Sequence, residues 1–326
     1  MPLKFNIWSN TIVFHPSFSI THTTLSIIYY LGFLFIFMKM VELLWVTPRN
    51  HKLFVWHVSP GTTPKALILF VHGHGEHSKR YLHWAEIFVN KGYAFLTWDH
   101  IGHGLSDGQR GHIHHYEQLL LEVDLAITKG KEFFPNMPVI LYGHSMGGNI
   151  VLNHAIRRCC SVNAIISTSP WLKLTKPISP LLNFLASVLN YIAPFLPMKS
   201  SVLPSEISHL DEEVWKYKND PLNHNRITPK LYVALRNAGE FALKYAKGIK
   251  TPVLLMHGEA DQITSFNASK EFSTSLNCGT FIPWPNMYHE LHNETVRGIV
   301  FEEIIKWIDS KMDIDFKKCD DPSIQN

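Results

Sequence analysis

Pro138-Val139-Ile140-Leu141-Tyr142-Gly143-His144-Ser145-Met146-Gly147-Gly148 is a short apolar run that breaks into glycines around a single serine. The run is rich in β-branched residues and bounded by Pro138 and Gly143, which predicts a buried strand over 138–142; the amphipathic spacing from Ile150 to Arg157 predicts a helix over 147–158. Strand, tight turn and helix in this order set Ser145 on a Gly-x-Ser-x-Gly elbow. Its small flanking residues permit a strained backbone where a Cβ would clash with the neighbouring strand. The turn lifts the hydroxyl clear of the sheet, and the helix points its N-terminal amides and positive dipole end at the place where an oxyanion would form. The same motif arises by chance in ordinary turns, so the rest of the chain has to decide its meaning.

A serine hydroxyl at neutral pH is a poor nucleophile without a general base and a carboxylate to orient that base. Behind such an elbow the acid and then the base follow in chain order. A second buried-strand pattern, Pro252-Val253-Leu254-Leu255-Met256-His257, runs into Gly258-Glu259-Ala260-Asp261. Asp261 is the expected acid, with Glu259 its nearest competitor and a helix-capping role its structural alternative. A third strand, Gly279-Thr280-Phe281-Ile282-Pro283-Trp284, leads through Pro285-Asn286-Met287-Tyr288 to His289, the expected base. His292 is the local rival, and on a helical turn it would share a face with His289, leaving one for catalysis and one for substrate.

The oxyanion needs two amides. One is assigned to Met146, the residue after the nucleophile, and the other to His74 in the glycine-rich loop His72-Gly73-His74-Gly75-Glu76-His77, which follows the strand Ala66-Leu67-Ile68-Leu69-Phe70-Val71. The chain has 20 histidines. The clusters His72/His74/His77, His100/His103 and His112/His114/His115 invite a metal, but no carboxylate or cysteine stands at a familiar ligand spacing, and a serine hydrolase needs none. No metal and no cofactor are expected.

With these elements in place, the chain resembles the monoacylglycerol lipase and lysophospholipase group of the α/β-hydrolases, in their serine-aminopeptidase-like branch. The resemblance is carried by His72 to Tyr81, by Asp99-His100-Ile101-Gly102-His103-Gly104-Leu105-Ser106-Asp107-Gly108, by Gly143 to Gly148, by Tyr217 to Leu222, by Gly258 to Asp261 and by Tyr288-His289-Glu290-Leu291-His292-Asn293-Glu294. It extends from about residue 42 to 311. It implies Ser145 as nucleophile with Asp261 and His289, the amides of His74 and Met146 as oxyanion donors, and a polar head-group pocket at Glu76, Arg80, Tyr217 and His292. Read from spacing alone, Glu76 and Arg80 are also an ordinary i,i+4 helical ion pair. Asp99 reads as a structural brace, and Asp107 and Asp124 precede the nucleophile and are set aside. The chain departs from the mammalian pattern at His74, where that pattern has a small residue; a backbone donor tolerates the change.

Strand patterns at 66–71, 93–98, 138–142, 163–168, 252–257 and 279–284 alternate with helical patterns near 79–90, 117–133, 147–158, 267–276 and 297–311. This predicts an α/β fold with a mostly parallel central sheet flanked by helices, and the resemblance makes it an α/β-hydrolase fold. The core is expected over 42–169 and 227–311, with an apolar helical cap or lid inserted at 170–226 and a tail over 312–326. The insertion has almost no charge between Leu181 and Leu196. A lid there would overhang Ser145, select acyl chains and touch a lipid surface, while a buried core helix is the alternative reading. Residues 1–41 form a hydrophobic N-terminal segment whose uncharged stretch at 24–38 reads as a signal anchor or monotopic anchor, or else as a misassigned start with translation from Met38 or Met40.

A net charge of +3 with no basic stripe argues against nucleic acid as a partner. Four cysteines make no disulfide framework and suit a reducing compartment. The expected function is hydrolysis of a monoacyl lipid ester, a monoacylglycerol first, through an acyl-enzyme. A lysophospholipase, another carboxylesterase and an aminopeptidase are the enzymatic alternatives, and a non-catalytic lipid-binding scaffold is the alternative of another class. The expected location is membrane-associated or cytoplasmic, with membrane surface contact through the cap and the N-terminal segment.

Overall fold

The structure is a computed structural model that describes residues 39–158 and 162–312. Its centre is an eight-stranded sheet in the order β1-β2-β4-β3-β5-β6-β9-β10. The strands are β1 (Lys39–Val46), β2 (Lys52–Ser59), β3 (Leu67–Val71), β4 (Ala94–Trp98), β5 (Val139–His144), β6 (Ala164–Thr168), β9 (Val253–Gly258) and β10 (Gly279–Trp284). From β4 to β10 all neighbours are parallel; β1 and β2 pair antiparallel with each other and β2 pairs antiparallel with β4. β3, β4, β5, β6 and β9 are buried at every position. Parallel strands covered by helices on both faces have no solvent side, so their sequences are unbroken apolar runs.

All six strand patterns form strands. The β1–β2 hairpin at the sheet edge is an addition: Leu53 to Trp56 of β2 form a short buried apolar run, whereas β1 leaves the apolar residues Met40, Leu44 and Val46 exposed. β1 begins at Lys39 and crosses residue 41, the expected end of the N-terminal segment. The apolar stretch 24–38, Cys159-Cys160 and the tail beyond Met312 lie outside the described residues.

The helices are α1 (Leu82–Asn90), entered through a 3₁₀ turn at Ser78–Tyr81, α2 (Tyr116–Phe133), α3 (Met146–Arg157), α4 (Pro180–Ile192), α5 (Asp211–Asn219), α6 (Pro229–Tyr245), α7 (Phe266–Ser273) and α8 (Arg297–Met312). α6 is absent from the sequence-based helix set, although its start carries a readable signal: Pro229 is the first helical residue, and the Thr228 hydroxyl accepts a hydrogen bond from Leu231 N at 3.3 Å. α6 packs against α3, the helix behind the serine.

Between β6 and α6 the chain leaves the sheet to form α4, α5 and a two-stranded ribbon of β7 (Met198–Lys199) with β8 (Arg226–Ile227). The Ser179 hydroxyl caps α4 by accepting from Leu182 N, with Pro180 at the first position. No residue of α4 is buried, and Leu181, Phe184, Tyr191 and Ile192 are 67%, 64%, 89% and 66% exposed. A core helix would bury such residues, so that alternative fails. Among the described residues no helix is long and apolar enough to cross a membrane.

Candidate active site

Ser145 has φ 54° and ψ −114°, a backbone conformation rare for a residue with a Cβ, at the junction of β5 and α3. The flanking glycines are required for two different reasons. A Cβ on Gly147 would lie 1.9 Å from Val71 O on the adjacent strand β3, whereas one on Gly143 would lie 2.3 Å from Gly147 O in the first turn of α3. The expected clash with the neighbouring strand therefore belongs to Gly147, and Gly143 makes room for the helix. Gly147→Ala must push apart β3 and α3; it is expected to destabilise the fold by about 3 kcal/mol or more, measured by chemical denaturation. A variant as stable as the parent would show that the elbow yields.

β9 ends at Gly258, and the turn after it points the Asp261 carboxylate inward. Asp261 Oδ1 accepts from the amides of Ile263 at 2.7 Å and Thr264 at 3.0 Å; Oδ2 lies 2.7 Å from His289 Nδ1, 2.9 Å from the Thr264 hydroxyl and 3.1 Å from His257 Nε2. Burial opposes the Asp261 charge, but His289 and His257 outweigh it and hold the carboxyl well below the usual carboxylate range. Glu259, the competitor, is exposed. Burial also disfavours the His289 imidazolium, yet Asp261 first, then Glu290 and Glu76, raise its pKa above the ordinary imidazole value. Ser169 Oγ donates to His289 O at 2.8 Å and fixes the backbone of the base. His144, between Gly143 and Ser145, has its ring centroid 4.8 Å from that of His289, tilted at 57°; burial, then its histidine neighbours, lower its pKa well below the ordinary value. It stays neutral beside the base.

The loop after β3 passes close to the serine: a Cβ on Gly73 would be 3.2 Å from Ser145 Cβ. The next amide in that loop is His74, and Met146 N is the first amide of α3, which has no acceptor within the helix. Burial first, then His224, lower the His74 pKa to about 3, so its ring is a neutral wall of the site. Four of the other cluster histidines make structural contacts. His72 Nε2 accepts from His100 N at 2.9 Å, His100 Nδ1 meets Glu122 at 2.6 Å, His77 Nε2 meets Asp220 at 2.9 Å, and His112 Nδ1 lies 3.2 Å from the Thr228 hydroxyl. Among the described residues no group of three His, Cys, Asp or Glu side chains is arranged to hold a metal ion. Asp99 braces the sheet end, accepting from Ser78 N and Oγ and from Leu105 N.

The expected head-group residues divide. Glu76 and Tyr217 line a cavity of about 700 Å³ together with Ser145, His74 and His289. Arg80 and His292 are not among its lining residues. Arg80 is enclosed by Glu76, Glu290 and the Tyr217 ring. His292 is 1% exposed and packs on Tyr81, Trp84 and His144, behind the base. Nor is the Glu76–Arg80 pair a surface helical pair: both side chains are buried, and Glu290 joins them. Nothing local in sequence marks Glu290 for this network, because its partner is 210 residues away.

Most of the rest of the cavity wall is apolar, with Lys176, Lys199, Glu206 and Gln262 among its polar residues. Trp171, Leu174, Ile178, Leu182, Leu185 and Leu189, all from the insertion, line it, while Glu76, Tyr217 and Glu290 bring polar groups to the serine. An acyl-sized apolar chamber meeting a polar patch at one nucleophile suits an amphiphilic ester.

A parallel sheet with a serine on a strained elbow and a His–Asp pair at two later strand ends defines an α/β-hydrolase. A family model described as serine aminopeptidase, S33 (Hydrolase_4) matches residues 62–296. The chain belongs to that family, in its monoglyceride-lipase-like group. It is 32% identical over 263 residues to a monoglyceride lipase homolog from monkeypox virus, covering 79% of this chain and 95% of the relative. It is also 32% identical over 259 residues to an uncharacterized abhydrolase domain-containing protein of Dictyostelium discoideum, of which it spans 27%, with 78% of this chain covered. The crystal structure of Paleococcus ferrophilus monoacylglycerol lipase superposes with a TM-score of 0.73 at 31% identity, over 79% of this chain and 99% of that one.

Proposed function

We propose that this chain is a serine esterase that hydrolyses a monoacylglycerol to glycerol and a fatty acid. The observation that carries the reading is the apolar cavity that ends in a polar patch at Ser145. His289 takes the Ser145 proton as the alkoxide attacks the ester carbonyl, and the amides of His74 and Met146 hold the oxyanion. The imidazolium then protonates the departing glycerol, and water, activated by the same base, releases the acid. Residues 170–226 act as a cap: Leu182, Leu185 and Leu189 of α4 face the acyl chain, while Leu181, Phe184, Tyr191 and Ile192 offer an apolar surface to a bilayer. Each methylene moved from water into such surroundings contributes about 0.8 kcal/mol.

A lysophospholipase reading is favoured by one observation, a smaller cavity of about 410 Å³ that shares His74, Lys199 and Tyr217 with the first and adds Lys218 along with Asp220. Matched oleoyl substrates separate the two. Purified protein given monooleoylglycerol and lysophosphatidylcholine is expected to release glycerol at least about 10-fold faster than glycerophosphocholine, since a site built to bind one polar group discriminates against another by such factors. Faster release of glycerophosphocholine would replace the first reading with the second.

A further inference from the structure

We infer that Arg80 is a positioning residue that clasps the oxyanion loop to the loop of the base, rather than a ligand of the substrate head group. The inference rests on the proposed role of Ser145 and His289. Arg80 Nη1 donates to Glu76 Oε2 and, at 2.7 Å, to Glu290 Oε1, while Nη2 donates to Glu290 Oε2 at 2.8 Å. One guanidinium therefore joins carboxylates from two segments that meet only in the folded protein, and its fork to Glu290 fixes direction as well as distance. Its face lies 4.7 Å from the Tyr217 ring centroid, which closes it off on the side of the insertion.

Each carboxylate passes the constraint to the chemistry. Glu76 Oε1 accepts from Gly73 N at 2.6 Å and from the Tyr81 hydroxyl at 2.7 Å, so it fixes the turn that carries His74. Glu290 follows His289 directly; its amide donates to Ile207 O at 2.8 Å, and its Oε2 accepts from Asn293 Nδ2 at 2.8 Å. Arg80 thus sets the separation of the second oxyanion donor from the base without touching the cavity.

The test uses Arg80→Lys, which keeps the charge and loses the fork, and Glu290→Gln, which keeps the shape and weakens the link to the base loop. Each is assayed on a monoacylglycerol and on the p-nitrophenyl ester of the same acid, whose leaving group has no glycerol hydroxyls. A clasp predicts a loss in kcat of about 100-fold on both substrates, the size expected when reacting groups are misplaced by about 1 Å, with KM changed by no more than about two-fold. Loss confined to the acylglycerol through a raised KM makes Arg80 a head-group ligand and overturns the clasp, as does full activity of both variants.

A pH profile supplies a readout that general loosening would not move. His289 faces Asp261, Glu290, Glu76, His144 and His292. Removing the Glu290 charge takes away a group that favours the imidazolium, so the acid limb of kcat/KM in Glu290→Gln should move to lower pH. An unmoved limb counts against the clasp. Fluorophosphonate labelling of Ser145 in the unaltered protein is followed in parallel: absent labelling would sink the esterase reading itself, whereas normal labelling with fully active variants removes only the clasp.

Discussion

Ser145→Ala is expected to lower hydrolysis of a monoacylglycerol or of a chromogenic acyl ester by about 10⁶-fold in kcat, leaving the melting temperature essentially unmoved. The alanine retains the Cβ and the backbone, so the elbow at φ 54° and its neighbours Gly143 and Gly147 are undisturbed. What disappears is the atom that must bond to the acyl carbon. The oxyanion amides and the apolar cavity remain, so substrate should still bind. The measurement is a steady-state assay beside a thermal melt of the same preparation. Turnover within about 10-fold of the parent would require another nucleophile, since removal of a covalent catalyst costs orders of magnitude more.

Asp261→Asn is expected to lower kcat by about 10⁴-fold and to change the pH dependence. The carboxylate accepts from His289 Nδ1 and thereby leaves Nε2 free to take the serine proton; an asparagine held by Ile263 N and Thr264 N through its oxygen would turn its NH₂ towards Nδ1 and favour the wrong tautomer. The sign of the pH effect follows from the base. The proposed mechanism needs neutral His289, whose pKa is raised because Asp261, Glu290 and Glu76 outweigh burial. The acid limb of kcat/KM for the parent should therefore lie above the ordinary imidazole pKa of about 6.5. Without the Asp261 charge, burial gains weight and the limb moves to lower pH. A limb in its original place, or a loss smaller than about 10-fold, would assign the orienting role to another group.

The buried strands were legible because burial on both faces forces one composition on the chain, as in Leu67 to Val71 or Val253 to Met256. The β1–β2 hairpin and the antiparallel closure of the sheet edge were less so, since β1 keeps apolar residues at exposed positions such as Leu44 and Val46 and its composition does not mark a buried face. α6 has its local signal in Thr228-Pro229, the capping hydroxyl followed by a proline at the first helical position. Ser145, Asp261 and His289 were readable as candidates from their places at strand ends, and the fold brings Asp261 Oδ2 to 2.7 Å from His289 Nδ1. The contacts of Glu76 and Arg80 were not: four residues apart in sequence, they look like any helical pair on a surface, and only the arrival of Glu290 and Tyr217 makes them a buried network.

Local chemistry therefore determined the strand–turn–helix elbow, the alternation of strands and helices, and the order of Ser145, Asp261 and His289, because each depends on residues within a few positions of one another. Tertiary structure alone decided that His292 packs behind the base, that α4 is an unburied wall of the cavity, and that Arg80 faces two carboxylates instead of the lumen. These outcomes depend on which side chains meet across more than 200 residues of chain, as Arg80 and Glu290 do. Residue spacing carries no record of that meeting; the packing of the folded sheet and its insertion creates it.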